Sequence, residues 1–203
     1  MISLAIYSAS AAEAVDLGLC RNAHLVDSID VSALPASAED LAAFADVFPE
    51  LSRPVHILSP HAGARRNSAQ WYCHVASKAY PRNSFYEVMP GIYVAAPYLS
   101  FAERAAQLPW EQAAMLGMEL CGRYSTLALH GARGRIDPSR GFFVRSALTT
   151  PQQLLRYSEA LGLGPKSSAV KASKVIAGMM RSPMEAALYL LFTLRPLRGG
   201  YPL

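Results

Sequence analysis

The sequence predicts an α+β fold, a small antiparallel sheet with packed helices and a helical C-terminal region, and three observations carry that prediction. Between Arg53 and Ala96, short segments rich in β-branched and aromatic residues alternate with turn residues. On either side of this zone apolar residues recur at three- and four-residue steps. The chain has 203 residues, 52% of them apolar and 17% charged, which supplies a buried core and excludes a wholly disordered polypeptide.

Taken in order, Ile2–Ser8 is expected to be a strand, followed by a helix capped at Ser10 with Glu13 as its capping-box partner. A secretory leader is not expected, because no Lys or Arg precedes Ile2–Tyr7 and this apolar stretch is shorter than the roughly 7–15 residues of such a segment. Asp27–Pro35 has no period and reads as a connection. Ser37-Ala-Glu-Asp40 starts a helix whose apolar positions are Leu41, Phe44, Ala45 and Phe48. Pro54–Leu58, Gln70–Val75, Ser84–Val88 and Ile92–Ala96 are the strands, with Pro90 and Gly91 placed as a type II turn wants them. Their short loops predict antiparallel pairing. Ser100 and Glu103 open one helix, and Trp110–Cys121 forms another that stops at Gly122. After a strand over Phe142–Ala147, Thr150-Pro-Gln-Gln153 starts a helix ending near Gly162 and Gly164. Ser167 or Ser168 starts the next, running to about Met180. Ser182-Pro-Met-Glu185 starts the last, and its body is apolar on every side, so burial beneath the helices of 152–161 and 168–180 is expected.

Charge is distributed unevenly. Residues 1–52 hold eight acids against Arg21 alone, residues 53–203 hold eighteen cations against seven acids, and from Gly122 onward twelve cations face three acids. A basic half invites an anionic partner, nucleic acid foremost. On the helix expected over 168–180, Lys171, Lys174 and Arg181 fall within about 80° of one another at 100° per residue. Arg195 and Arg198, together with Arg133 and Arg135 in the glycine-rich loop His130–Gly141, complete the candidate nucleic-acid-binding residues.

Other chemistry finds little support. His56, His61, Cys73 and His74 share one region, yet their spacing does not match paired zinc ligands, and adjacent strand residues point to opposite faces. No metal and no cofactor is therefore expected. There is no G-x-S-x-G, no G-x-x-x-x-G-K-[ST] and no apolar run of the roughly 18 residues a membrane span needs. Cys20, Cys73 and Cys121, isolated and odd in number, fit a reducing cytoplasm.

The block "GMMRSPMEAALYLLFTLRPLRGGYPL", Gly178–Leu203, resembles the opening of a bacterial endonuclease-like domain of the PD-(D/E)XK type. That motif is found in very-short-patch-repair-like proteins and in uncharacterised families related to AbiEi-type antitoxins. Upstream, "PVHILSP", "GIYVAAPYLSFAERAAQL" and "MLGMELCGRY" resemble the strand-rich region that precedes the nuclease helix in these families, so the likeness covers Arg53–Leu203. It implies a toxin–antitoxin or endonuclease-like setting, and a Glu that can belong to an acidic metal site, which here is Glu185. Such a site needs several carboxylates and a Lys to hold Mg²⁺ and activate water, and the strands that would bring them are absent from this chain. Glu185 also has a structural role available, as the third residue of a capping box on Ser182.

Three segments result: an acidic, mostly helical piece over 1–52, a strand-rich α+β core over 53–148, and a basic helical region over 149–203. The expected function is a non-catalytic module contacting nucleic acid or a partner protein. One alternative is a metal-dependent nuclease whose remaining carboxylates, and Mg²⁺ with them, are assembled from outside the chain. The other is a protein-interaction domain, or a homo-oligomer, with no nucleic-acid role. A membrane partner is not expected.

Overall fold

The computed structural model describes residues 3–44, 46, 48–65, 67–76, 79–126, 136–137 and 142–194. The fold is α+β, as the sequence predicts. The chain divides into two compact units, and among the described residues the boundary lies between Ser100 and Phe101.

The first unit is built on a six-stranded sheet. Its strands are β1 (Leu4–Ile6), β2 (His24–Val26), β3 (Val55–Ser59), β4 (Trp71–Val75), β5 (Phe85–Met89) and β6 (Ile92–Ala95), in the order β2-β5-β6-β1-β3-β4. The sheet is mixed, not antiparallel. β5 pairs antiparallel with β2 and β6, and β1 antiparallel with β3, but β1–β6 and β3–β4 are parallel. The short-loop expectation fails for β3–β4 because the connection between them, which includes a 3-10 turn at Ala62–Ala64, is long enough for a crossover. β2 was not expected at all; three residues with no alternation leave no periodic signal. Leu4, Ile6, Val55, Ile57, Leu58 and Val94 form the sheet's dry centre.

β4 lies at an edge, and its own connection satisfies it. The Asn67 side-chain oxygen accepts the Cys73 N–H (2.8 Å), Arg65 Nε donates to the Cys73 carbonyl (3.3 Å), and Ser68 exchanges bonds with Trp71. This edge is therefore not open for strand addition.

Helix α1 (Ser8–Asp16) starts three residues earlier than a cap at Ser10 predicts, with Ser8 in the left-handed region at φ 52°. Ser10 is not its cap. Its Oγ accepts the His56 N–H (2.9 Å), and the Glu13 carboxylate, buried, accepts both the N–H and the hydroxyl of Ser52. Both residues tie the helix to the β3 side of the unit instead of closing a capping box. In α2 (Ala38–Ala42) the predicted Ser37/Asp40 box is present, but the helix stops after five residues. Gly91 takes φ 76° in the β5–β6 turn, as a type II turn requires.

α3 (Pro97–Ala105) spans the boundary and begins at Pro97, so Ser100 sits inside it and is no cap. In the second unit α4 (Trp110–Cys121) is the central helix. A three-stranded antiparallel sheet follows, β7 (Tyr124–Ser125), β8 (Ile136–Asp137) and β9 (Phe142–Val144), in the order β7-β9-β8. α5 (Pro151–Ala160) carries the predicted Thr150/Gln153 capping box and ends at Gly162, whose φ of 79° suits the left-handed closing residue.

α6 spans Ser168–Ser173, far short of Met180. The next stretch pairs its backbone with the end of α4: Met179 N–H donates to the Cys121 carbonyl (3.0 Å) and Arg123 N–H to that of Met180 (2.6 Å). Those tertiary bonds, with Met179 at φ 67°, replace the helical ladder that local propensity favours.

α7 (Pro183–Thr193) packs on α4 through Ala186 and Leu190, the two positions of the helix that are fully buried. The expectation that it is mostly buried, beneath the helices of 152–161 and 168–180, is wrong. Met184 is 67%, Leu188 44% and Phe192 52% exposed, because α4 covers one side of the helix only. No helix among the described residues is long and apolar enough to cross a membrane.

Candidate functional site

The parallel register of β3 and β4 sets His56 beside Tyr72 and Leu58 beside His74. Alternation then turns His56, Tyr72 and His74 to one face, while Trp71 and Cys73 are buried on the other. The His56 ring stacks on Tyr72 (centroids 5.0 Å apart, planes at 28°) and lies 5.1 Å from His74. His56 Nδ1 and His74 Nε2 are 2.9 Å apart, so one hydrogen is shared between the two rings. Tyr7, at the end of β1, sets its ring 5.3 Å from His74 and 6.3 Å from Tyr80, which meets Phe85 edge-on at 5.2 Å. A continuous run of six aromatic rings thus crosses from β5 to the edge strand. Its inner end is dry, with Phe85 1% and Tyr7 3% exposed, and it opens at Tyr72, 40% exposed.

Burial first, and then the charges of His56 and Arg65, push His74 down to about 4. Free histidine titrates near 6.5, so between those values the unfolded chain binds the extra proton. The associated stability is present above about pH 6.5 and is lost as the pH falls towards 4. His74 is part-exposed, and screening reduces the effect to about 1–2 kcal/mol. Urea unfolding at both ends of that window should show the loss, and His74→Gln should remove most of it.

The segment carrying this cluster has a charge pattern that the sequence reading passed over. From Leu51 to Tyr86 there is no Asp or Glu, against Arg53, Arg65, Arg66, Lys78 and Arg82. Arg65 is anchored beside the rings by its bond to Cys73, and the Arg53 guanidinium carbon lies 5.5 Å from the centre of the Trp71 ring. On the Trp71 side a groove of about 510 Å³ runs against α2, lined by Leu41, Asn67, Gln70 and Trp71 among others.

The residues expected to bind nucleic acid divide into two groups. Lys171 on α6, Lys174 at its C-terminal cap and Arg181 before α7 are exposed. Because α6 ends at Ser173, Arg181 does not share a helical face with the two lysines, and the wheel argument fails. Arg133, Arg135, Arg195 and Arg198 lie outside the described residues. Arg145, one of the late cations, is structural: its guanidinium donates to the carbonyls of Glu119 (3.0 Å) and Gly122 (3.4 Å) at the end of α4 and to that of its neighbour Ser146 (2.9 Å).

Glu185 sits in the first turn of α7, where its N–H donates to Ser182 Oγ (3.2 Å). Its carboxylate accepts the Arg181 N–H (2.8 Å), one residue earlier than the box on Ser182 predicts. Among the described residues no three His, Cys, Asp or Glu side chains form a metal-holding group. Cys73 and His74 diverge as strand alternation requires, whereas His56 and His74 come together. Cys20 and Cys121 are free thiols that burial pushes up to about 12, far from the thiolate a nucleophile needs.

Compared with models of known protein families, with curated proteins and with solved structures, the chain matches none.

Proposed function

We propose that this chain is a non-catalytic binding module that contacts nucleic acid through exposed cations, with an AbiEi-like or endonuclease-like bacterial protein as its setting and the cytoplasm as its compartment. One observation carries the reading. Between Arg156 and Arg181 five cations face Glu159 alone, and Arg156, Lys166, Lys171, Lys174 and Arg181 are all exposed with no ion pair to a described carboxylate. Cations displayed without acidic partners are what a phosphate backbone engages, releasing its condensed counterions. The three free cysteines agree with a reducing compartment. The test is anisotropy of a labelled oligonucleotide at low salt. Removing two phosphate contacts in Lys171→Ala with Lys174→Ala should weaken binding about fivefold or more, at unchanged thermal stability. Equal binding by the parent and the double variant would refute the assignment.

A second reading, a protein partner or self-association, is favoured by the exposed Met184, Leu188 and Phe192, four residues apart on α7. If it holds, sedimentation should show an association that Phe192→Asp abolishes without unfolding the chain.

A further inference from the structure

We infer that the Tyr72–His56–His74 edge of the first unit is a stacking site for the bases of single-stranded nucleic acid. The inference rests on the nucleic-acid reading above, but it places contact on residues that reading does not use. Stacking requires an aromatic plane with one face supported and the other reachable. Tyr72 has its ring on His56 at 5.0 Å and 28° and remains 40% exposed. Behind it the shared hydrogen between His56 and His74 at 2.9 Å, and the Tyr7–Tyr80–Phe85 contacts, hold the platform rigid, so little side-chain freedom is lost when a base lands.

The charge agrees with the shape. No acid occurs from Leu51 to Tyr86, so a backbone passing this edge meets Arg65, fixed next to His74 by its Nε bond to the Cys73 carbonyl, and no carboxylate of the same segment. Every base has a π-face, so such a platform is tolerant of sequence, but a duplex keeps its faces within its own stack and offers none. The ligand is therefore an unpaired strand. β4 does not recognise it by strand addition, because its outer edge is already occupied by Asn67, Arg65 and Ser68.

The experiment measures binding of labelled oligo-rU, oligo-dT and a duplex to the full chain. Single strands should bind more tightly than the duplex, and Tyr72→Ala should weaken that binding about tenfold, the loss of roughly one stacked base. Tyr72→Phe, which keeps the ring, should bind as the parent does. Arg65→Gln should lower the slope of log affinity against log salt by about 0.7 on single strands. Tyr72→Ala should weaken oligo-rU and oligo-dT alike, because the platform meets the face of the base and not the sugar. Unchanged single-strand binding in Tyr72→Ala, with loss in Lys171→Ala and Lys174→Ala, would overturn this site and leave the broader reading standing. Absence of binding to all three at low salt would overturn both. Because Tyr72 is exposed, a folded Tyr72→Ala protein is expected. Photocrosslinking of an iodouracil oligonucleotide to the parent chain gives an independent check, since attachment at the Tyr72 edge is expected and its absence there contradicts the placement.

Discussion

Gly122→Ala should destabilise the second unit by about 2–3 kcal/mol, seen as a lowered urea midpoint. A Cβ at this position would stand 2.6 Å from the Met118 carbonyl oxygen and 2.9 Å from that of Met180. Both are backbone atoms, so no side chain can swing aside. Relief requires the last turn of α4 to open away from the Met118 carbonyl and the 179–181 segment to withdraw, breaking the Arg123 to Met180 bond. Gly117 is a useful contrast. Its added Cβ would meet the Ile176 side chain at 2.0 Å, and Gly117→Ala with Ile176→Val should recover part of the loss, whereas no side-chain change should rescue Gly122→Ala.

Arg145→Ala should cost about 1.5–3 kcal/mol, as expected for charge-assisted hydrogen bonds removed from a helix end. Three carbonyls, those of Glu119, Gly122 and Ser146, lose a donor at once. Arg145→Lys should recover less than half, because an ammonium lacks the planar fork that serves carbonyls on two sides. Neither change should alter oligonucleotide affinity beyond the small effect of one charge. A large loss of binding at full stability would mean that Arg145 contacts the ligand after all.

What the sequence made legible was local. Ser37 with Asp40, Thr150 with Gln153, Pro183 after Ser182, and Gly91 and Gly162 behave as their short-range chemistry dictates, and Trp110–Cys121 has the predicted limits. What it hid was decided at a distance. Ser10 and Glu13 look like a capping box but are drawn away by His56 and Ser52. The helix expected to reach Met180 ends at Ser173 because Cys121 and Arg123 offer its successor backbone partners. α7 reads as buried from composition, yet its packing on α4 leaves Met184, Leu188 and Phe192 exposed.

The aromatic cluster was missed for a related reason. His56, Tyr72 and His74 meet only in the parallel register of β3 and β4, and the antiparallel reading dissolves it. The absence of acids from Leu51 to Tyr86, interleaved with Trp71, Tyr72 and Tyr80, was the available signal.

The most direct test of the binding-module account is the salt dependence of oligonucleotide binding by the intact chain. Log affinity should fall linearly with log salt, and the slope should flatten by about 1.4 for single strands, or about 1.8 for a duplex, when Lys171 and Lys174 are both replaced by alanine. No binding at low salt, or a slope that the double replacement leaves unchanged, would contradict it.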